Sequence, residues 1–82
     1  MDSRVTVITG ASKGIGRHLV HHYIGCGHRV VGCSRGEPDW TLEGYRHVQA
    51  DVTNETDVQR VFAMLRRDFG CLDHMINNAG IA

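Results

Sequence analysis

Lysine and proline are scarce in this chain of 82 residues, and the chain carries no excess of charge of either sign. A formal net charge of zero, with eight scattered arginines and one lysine, argues against a surface that binds nucleic acid. No apolar run approaches the ~20 residues that a membrane-spanning helix needs. The first residues contain no basic segment followed by a long apolar one, so they do not resemble a secretion signal. We therefore expect a cytoplasmic protein with neither nucleic acid nor a membrane as partner.

The few cysteines favour packing over chemistry. Cys26, Cys33 and Cys71 are odd in number and contain no Cys-x-x-Cys pair, which suits a reducing compartment better than disulfides or zinc. Six histidines invite a metal hypothesis, and His18 and His22 stand four residues apart on a predicted helix. The pattern His-Glu-x-x-His is missing and no third ligand is near, so we expect a solvated helix face and no metal.

Short apolar strands alternate with helices along the chain. This order predicts an α/β fold in which right-handed crossovers join the strands of a parallel sheet. The stretch between the second and third strands is too short for a crossover helix, so we expect at most one helical turn near Leu42. The predicted elements are strands at Val5–Ile8, Arg29–Ser34, Tyr45–Ala50 and Leu72–Ile76 and helices at about Ile15–Ile24 and Asn54–Phe69.

The second helix has a start signal and an apolar face. Thr53 is a residue type that caps helix N-termini, and acidic side chains follow it in the first turn. Val58, Val61, Phe62 and Leu65 recur at the i, i+3, i+4, i+7 spacing of a single helix face. We expect this face to pack in the core.

The most informative segment joins the first strand to the first helix and reads Thr-Gly-Ala-Ser-Lys-Gly-Ile-Gly from Thr9 to Gly16. A helix N-terminus presents unpaired N–H groups and partial positive charge, which suits a phosphate. We expect Gly10 to permit a tight turn, Gly14 to let a pyrophosphate approach the backbone, and Gly16 to let helix and sheet pack closely. The spacing Gly-x-x-x-Gly-x-Gly matches neither the P-loop nor the common Gly-x-Gly-x-x-Gly fingerprint. Taken alone, the loop could be an ordinary turn.

Three further motifs agree with this loop in order and spacing: Ser34-Arg35, Asp51-Val52 and Asn77-Asn78-Ala79-Gly80, each at the end of a predicted strand. Together the four motifs resemble the short-chain dehydrogenase/reductase family, in the compact form of the 3-oxoacyl carrier-protein reductases. The resemblance implies a Rossmann-type parallel sheet with strand order 3-2-1-4 and flanking helices. It also implies that residues 1–82 are the N-terminal part of a single dinucleotide-binding domain.

The resemblance further implies a role for each motif in binding a nicotinamide dinucleotide. Amides of the glycine loop would hold the pyrophosphate, and Ser12 and Lys13 would lie against the adenosine ribose and its phosphate. Asp51 would accept a hydrogen bond from the adenine amino group, with the Val52 backbone beside it. The implied cofactor-binding residues are Gly10, Ser12, Lys13, Gly14, Ile15, Gly16, Ser34, Arg35, Asp51, Val52, Asn78, Ala79 and Gly80. The last three would border the ribose on the nicotinamide side, and Asn78 could also tie central strands together.

Charge near the second strand bears on the choice between NAD(H) and NADP(H). NAD-binding proteins commonly place an acid at this strand end, where it accepts from the ribose 2′-hydroxyl. The chain has neutral Ser34 there, followed by Arg35, whose guanidinium can bind a 2′-phosphate, and Lys13 adds a second positive charge. Glu37 lies beyond the turn and complicates the argument. We expect NADP(H), with NAD(H) as the alternative and a solvated loop arginine as the simpler interpretation of Arg35.

The family's catalytic Tyr-x-x-x-Lys pair and its serine have no counterpart here. Tyr23 and Tyr45 are followed four residues later by glycine and glutamine, and the only lysine is Lys13. We expect the chain to be the N-terminal segment of a longer, homo-oligomeric enzyme. That enzyme would transfer hydride between NADP(H) and a small carbonyl or alcohol substrate. Alternatives are a non-catalytic NADP(H)-binding sensor or scaffold, and an inactive truncated product.

Trp40 and Tyr45 flank the short link between the second and third strands. We expect these two aromatic side chains either to pack in the fold or to cover the adenine.

Overall fold

A computed structural model describes residues 4–12, 14–70 and 72–78 of the chain. Within these ranges four strands and two helices follow one another in the order expected from the sequence. The elements are β1 Val5–Thr9, α1 Gly14–Gly25, β2 Arg29–Ser34, β3 Tyr45–Gln49, α2 Glu55–Asp68 and β4 His74–Ile76. The fourth strand is shorter than predicted, since it begins at His74 rather than Leu72.

The strands form one parallel sheet in the order β3-β2-β1-β4. β1 is central and every residue in it is buried, as its run of β-branched side chains predicts. Its register places Val5 opposite Arg29 on one side and Thr6 opposite His74 on the other. The predicted Rossmann-type sheet with order 3-2-1-4 is confirmed.

The two helices cover opposite faces of the sheet. Side chains alternate along β1, so Val5 and Val7 pack toward α2 while Ile8 packs toward α1. On the α2 side the buried cluster includes Cys33, as predicted, and burial raises the pKa of its thiol. The core is therefore divided into two layers by the sheet.

The link between β2 and β3 contains no helix among the described residues, which agrees with its predicted shortness. It turns instead at Gly44, whose φ of 87° lies in the left-handed region, and Tyr45 N–H donates to the Leu42 carbonyl at 3.1 Å. Trp40 and Leu42 pack against the cluster on the α1 side. This segment thus covers α1 without forming a helix of its own.

Two predictions for α2 were wrong. The N-cap is Asn54 rather than Thr53: the Asn54 side chain accepts from Asp57 N–H at 3.0 Å. Thr53 does not cap because its hydroxyl donates to the Asp51 carboxylate at 2.6 Å. Phe62 is 38% exposed rather than buried, since it faces the margin of the sheet beside short β4. Val61 and Leu65 do lie in the core, and Met64 and Phe69 add partly buried contacts.

Candidate cofactor site

The carboxyl ends of the four parallel strands bring the predicted motifs to one edge of the sheet. β1 leads into Gly10, β2 ends at Ser34, Asp51 lies just beyond β3, and Asn78 lies just beyond β4. The chain leaves β1 toward β2 on one side, and β4 lies on the other. In open α/β sheets ligands bind in the crevice at such a switch point.

The glycine loop has the geometry predicted for it. Gly10 has a φ of 66°, and its N–H donates to the Cys33 carbonyl at 2.7 Å, so its amide is used within the protein. Gly14 also has a positive φ, 62°, and among the described residues, apart from its chain neighbours and the backbone of its own helix, no atom lies within 4 Å of the position that a Cβ would take. Gly16 is buried, and a Cβ there would overlap the Gly10 carbonyl oxygen. Ile15 lies between these glycines and is 62% exposed.

Trp40 fixes the loop from outside. Its indole N–H donates to the Ser12 carbonyl at 2.9 Å, and the ring lies 4.9 Å from that of Tyr45. Arg17 from α1 lies over the same indole at 5.5 Å. Of the two interpretations of Trp40 and Tyr45, the contacts among the described residues support packing.

A cleft of about 590 Å³ lies between the glycine loop and the segment after β2. Arg35 lines it, and its side chain is 80% exposed, with a guanidinium nitrogen 3.9 Å from Asp51. Such a long, exposed ion pair holds the guanidinium only weakly. The lining residues are Gly10, Ser12, Ser34, Arg35, Gly36, Glu37, Pro38 and Asp39. Two acidic residues, Glu37 and Asp39, therefore face the same space as Arg35.

Asp51 is held by the turn that follows it. Its Oδ1 accepts from both the N–H and the hydroxyl of Thr53, at 2.9 and 2.6 Å, and these bonds are the main reason why its pKa is lowered. The carboxylate is 38% exposed. Val52, next in the chain, is 36% exposed and its side chain lines a small apolar pocket on the α2 side.

Asn77 and Asn78 connect β4 to β1. The Thr9 hydroxyl donates to the Asn77 side-chain carbonyl at 3.1 Å and accepts from Asn78 N–H at 2.8 Å. The Asn78 amide group also donates to the Gly10 carbonyl at 3.3 Å. Asn78 therefore ties the two strands together, as the resemblance implied. Three other predicted site residues, Lys13, Ala79 and Gly80, lie outside the described residues, as does Cys71.

The family comparison agrees with this geometry. The family model described as short chain dehydrogenase matches residues 4–82. The chain belongs to this family. Among curated relatives, L-fucose dehydrogenase of Mus musculus is 37% identical over 82 residues, which cover 94% of this chain and 30% of that protein. A 3-oxoacyl-[acyl-carrier-protein] reductase of Salmonella typhimurium is 29% identical, with 98% and 35% covered. The chain thus spans about a third of the length of such relatives.

Solved structures of the family superpose closely on the chain. A short chain dehydrogenase from Leptospira borgpetersenii with bound NAD+ has a TM-score of 0.87 at 30% identity, covering 99% of this chain and 33% of that one. A variant of ElxO with NADPH bound has the same TM-score at 29% identity, covering 99% and 36%. The family therefore includes dinucleotide complexes of both kinds on this fold.

The sequence did not predict the residues of β3 that support the cleft by bonding to the turn after β2. His47 on β3 contacts both Ser34 and the Gly36 carbonyl, and Gln49 donates to the Arg35 carbonyl at 2.8 Å. Their spacing of two along a strand places them on one face, but nothing in that spacing reveals which turn they reach. Asp39 was also missed, because the path of the chain after Pro38 brings it back to the cleft. Among the described residues no group of three metal-ligating side chains occurs, and no helix is long and apolar enough to span a membrane.

Proposed function

We propose that this chain is the cofactor-binding part of an NADP(H)-dependent oxidoreductase, which transfers hydride between that cofactor and a carbonyl or alcohol group of a small substrate. The observation that carries the proposal is the open approach to Gly14 at the start of α1, beside a cleft lined by the exposed Arg35. Family membership supports an oxidoreductase, and the relatives named above are an L-fucose dehydrogenase and a 3-oxoacyl-[acyl-carrier-protein] reductase.

The diphosphate would bind the main-chain N–H groups of the first turn of α1. The first turn of any helix has N–H groups without intrahelical acceptors and a partial positive charge. The amides of Gly10 and Ala11 donate to the Cys33 carbonyl instead, so the ligand would bind those of Gly14, Ile15 and Gly16. The absence of a side chain at Gly14 lets the phosphate oxygens approach the backbone.

The adenosine half would occupy the cleft. Arg35 would form charge-assisted hydrogen bonds with a ribose 2′-phosphate, with the Ser34 hydroxyl and the segment from Ser12 to Lys13 beside it. Since Oδ1 of Asp51 already accepts two bonds from Thr53, the adenine amino group would donate to Oδ2. The Val52 backbone would lie next to the base, and Asn78, Ala79 and Gly80 would border the nicotinamide ribose.

NAD(H) is the competing cofactor, and one specific observation favours it. Glu37 and Asp39 line the same cleft as Arg35, so they oppose the dianionic 2′-phosphate that distinguishes NADP(H). The preference for NADP(H) then depends on the guanidinium lying closer to the phosphate than either carboxylate does. Both cofactor types occur among structures that superpose on this chain.

The test is the ratio of dissociation constants for NADPH and NADH, measured by calorimetry on the intact protein. A charge-assisted hydrogen bond contributes about 1.5–3 kcal/mol, which corresponds to about 10- to 150-fold in affinity. Arg35→Gln should therefore weaken NADPH binding by at least about tenfold and leave NADH binding nearly unchanged. Arg35→Asp should reverse the preference.

Arg66→Gln is the matched control, since Arg66 is an exposed arginine near the end of α2, away from the cleft. It should leave both dissociation constants unchanged. An unaltered ratio in the Arg35 variants contradicts the NADP(H) proposal. NADPH oxidation by a panel of small aldehydes and ketones separates an enzyme from a sensor, because a sensor binds NADPH without consuming it.

A further inference from the structure

A chain of hydrogen bonds runs behind the wall of the cleft, from the interior of the fold to the turn that carries Arg35. The Tyr45 hydroxyl lies 2.7 Å from Nδ1 of His47. Nε2 of His47 lies 2.9 Å from the Gly36 carbonyl and 3.1 Å from the Ser34 hydroxyl. The Ser34 hydroxyl in turn donates to the same Gly36 carbonyl at 2.8 Å. His47 therefore sits between a half-buried phenol and two groups of the cleft wall.

The partners of His47 determine its tautomer. A carbonyl oxygen only accepts, so Nε2 must carry a proton to bond to Gly36. In the neutral ring Nδ1 then accepts, and the Tyr45 hydroxyl must be the donor. Burial raises the pKa of Tyr45 far above its usual value, so the phenol keeps its proton. The phenol reaches this place because Gly32 has no Cβ, which would overlap the Tyr45 oxygen.

The Gly36 carbonyl oxygen can accept two hydrogen bonds at once, and this allows Ser34 to be released for a ligand. That carbonyl receives one bond from Ser34 and one from His47. If the Ser34 hydroxyl turns to donate to an anion in the cleft, His47 still satisfies the Gly36 carbonyl. The turn then keeps its shape, so Arg35 stays in position while Ser34 becomes a donor for the ligand. Without His47, the same rotation would remove both of these bonds and leave the exposed Gly36 carbonyl to water, so neither bond would hold the turn in shape.

We propose that His47, oriented by Tyr45, is a positioning residue that sets the preference of the cleft for a phosphorylated over an unphosphorylated adenosine ribose. The proposal rests on the proposed NADP(H) function, because it concerns how Ser34 and Arg35 meet the 2′-phosphate. His47 acts through these two residues and does not itself contact the ligand. Gln49, two positions along β3, supports the same turn through the Arg35 carbonyl.

The experiment compares dissociation constants for NADPH and NADH in three variants of the intact protein. His47→Leu removes the donor to Gly36 and should weaken NADPH binding about five- to tenfold, with less than about a twofold change for NADH. His47→Gln keeps a side-chain N–H donor and should restore most of the preference. Tyr45→Phe removes the group that orients the ring and should lower the NADPH/NADH preference about threefold.

Nitrogen-15 NMR of the His47 ring measures independently whether Tyr45 orients that ring, while the selective loss of NADPH binding separates a positioning role from a merely structural one. The wild type should show the tautomer protonated at Nε2, and Tyr45→Phe should show a mixture of tautomers. His22→Gln is the control for replacing a histidine, since His22 is exposed in the last turn of α1 and lies outside the cleft lining. It should change neither dissociation constant.

The outcomes separate the inference from the function on which it rests. A wild type that prefers NADPH, with that preference unchanged in a folded His47→Leu variant, overturns the inference alone. Equal losses for both cofactors in His47→Leu, or no recovery in His47→Gln, overturn it as well. A wild type that binds NADPH no better than NADH overturns the proposed cofactor, and the inference with it.

Discussion

The carbonyl oxygen of Gly10 occupies the space that a side chain at Gly16 would need. A Cβ at Gly16 would also lie 2.7 Å from the Gly10 carbonyl carbon and 2.9 Å from the Asn78 side-chain nitrogen. Asn78 in turn donates to the Gly10 carbonyl and to the Thr9 hydroxyl. Because Gly16 has no side chain, α1 can contact the end of β1 and, through Asn78, the end of β4.

Gly16→Ala should destabilise the fold, because the atoms it would displace belong to the backbone and to a bonded amide. Overpacking of this kind costs about 1–3 kcal/mol, measured as the free energy of unfolding in urea. Gly25→Ala is the control within the same helix: Gly25 has open space around its Cβ position and no positive φ. It should be neutral or stabilising by up to about 1 kcal/mol. Equal effects of the two substitutions would contradict the role assigned to Gly16.

The sequence was sufficient to predict the strands and the two helices because their signals are local, whereas the strand order was implied by the family resemblance. β-Branched runs mark β1, glycines mark the helix ends, and the apolar period marks α2. The sequence did not show in the same way which of two neighbouring residues would cap the N-terminus of α2. Thr53 and Asn54 are both good N-cap residues. Asn54 is the cap because the Thr53 hydroxyl donates its hydrogen bond to the Asp51 carboxylate instead.

The long-range hydrogen bonds around the site could not be predicted from local signals, because they join residues far apart in the chain. Asn77 and Asn78 reach Thr9 across 68 and 69 positions, and Trp40 reaches Ser12 across 28. Such bonds depend on the packed orientation of the strands and not on any local period. The family resemblance did supply the tie formed by Asn78, since that motif carries tertiary information that single elements lack.

Gly14 tests whether the start of α1 holds the diphosphate. Gly14→Asn adds bulk where the ligand would lie, while asparagine tolerates the left-handed φ of 62° better than most residues. We expect a modest loss of stability, about 1 kcal/mol or less, and at least about tenfold weaker binding of both NADPH and NADH. Both cofactors should be affected because they share the diphosphate.

Gly27→Asn is the matched control for that substitution. Gly27 also has a positive φ, 86°, with open space around it, but it lies just beyond the other end of α1. The control should show the same backbone cost and unchanged cofactor affinity in calorimetric titrations. A folded Gly14→Asn protein with wild-type affinity would sink the proposed binding mode.

The acids of the cleft should limit the affinity for NADP(H). Glu37→Gln and Asp39→Asn each remove a negative charge that faces the same space as Arg35. Since exposed charge pairs contribute about 0.2–1 kcal/mol, each substitution should strengthen NADPH binding by about one and a half- to fivefold, with little change for NADH. Glu43→Gln, exposed and outside the cleft lining, serves as the control.

Salt dependence separates this electrostatic effect from a change in shape. Raising the ionic strength from about 0.01 to 1 M shortens the screening length from about 30 to 3 Å, so an electrostatic gain should shrink. If the gain of Glu37→Gln or Asp39→Asn is the same at both ionic strengths, or if NADH binding improves equally, repulsion of the 2′-phosphate is not its cause.

The fold should lose stability in acid partly through Asp68, which ends α2. Its pKa is lowered from 3.8 to about 2 by hydrogen bonds from Arg67 and from Arg46, the latter at 2.6 Å. A carboxyl whose pKa is lowered by folding stabilises the fold above its unfolded pKa, and this contribution is lost as the pH falls from 3.8 toward 2. Asp68→Asn should therefore be less stable than the wild type at pH 6, with the difference shrinking across that window.

Urea unfolding at stepped pH measures this difference in the free energy of unfolding. Arg46→Gln and Arg67→Gln divide the effect between the bond to β3 and the bond within α2. A stability difference that stays constant down to pH 2 would show that the asparagine acts through packing and not through the charge of Asp68.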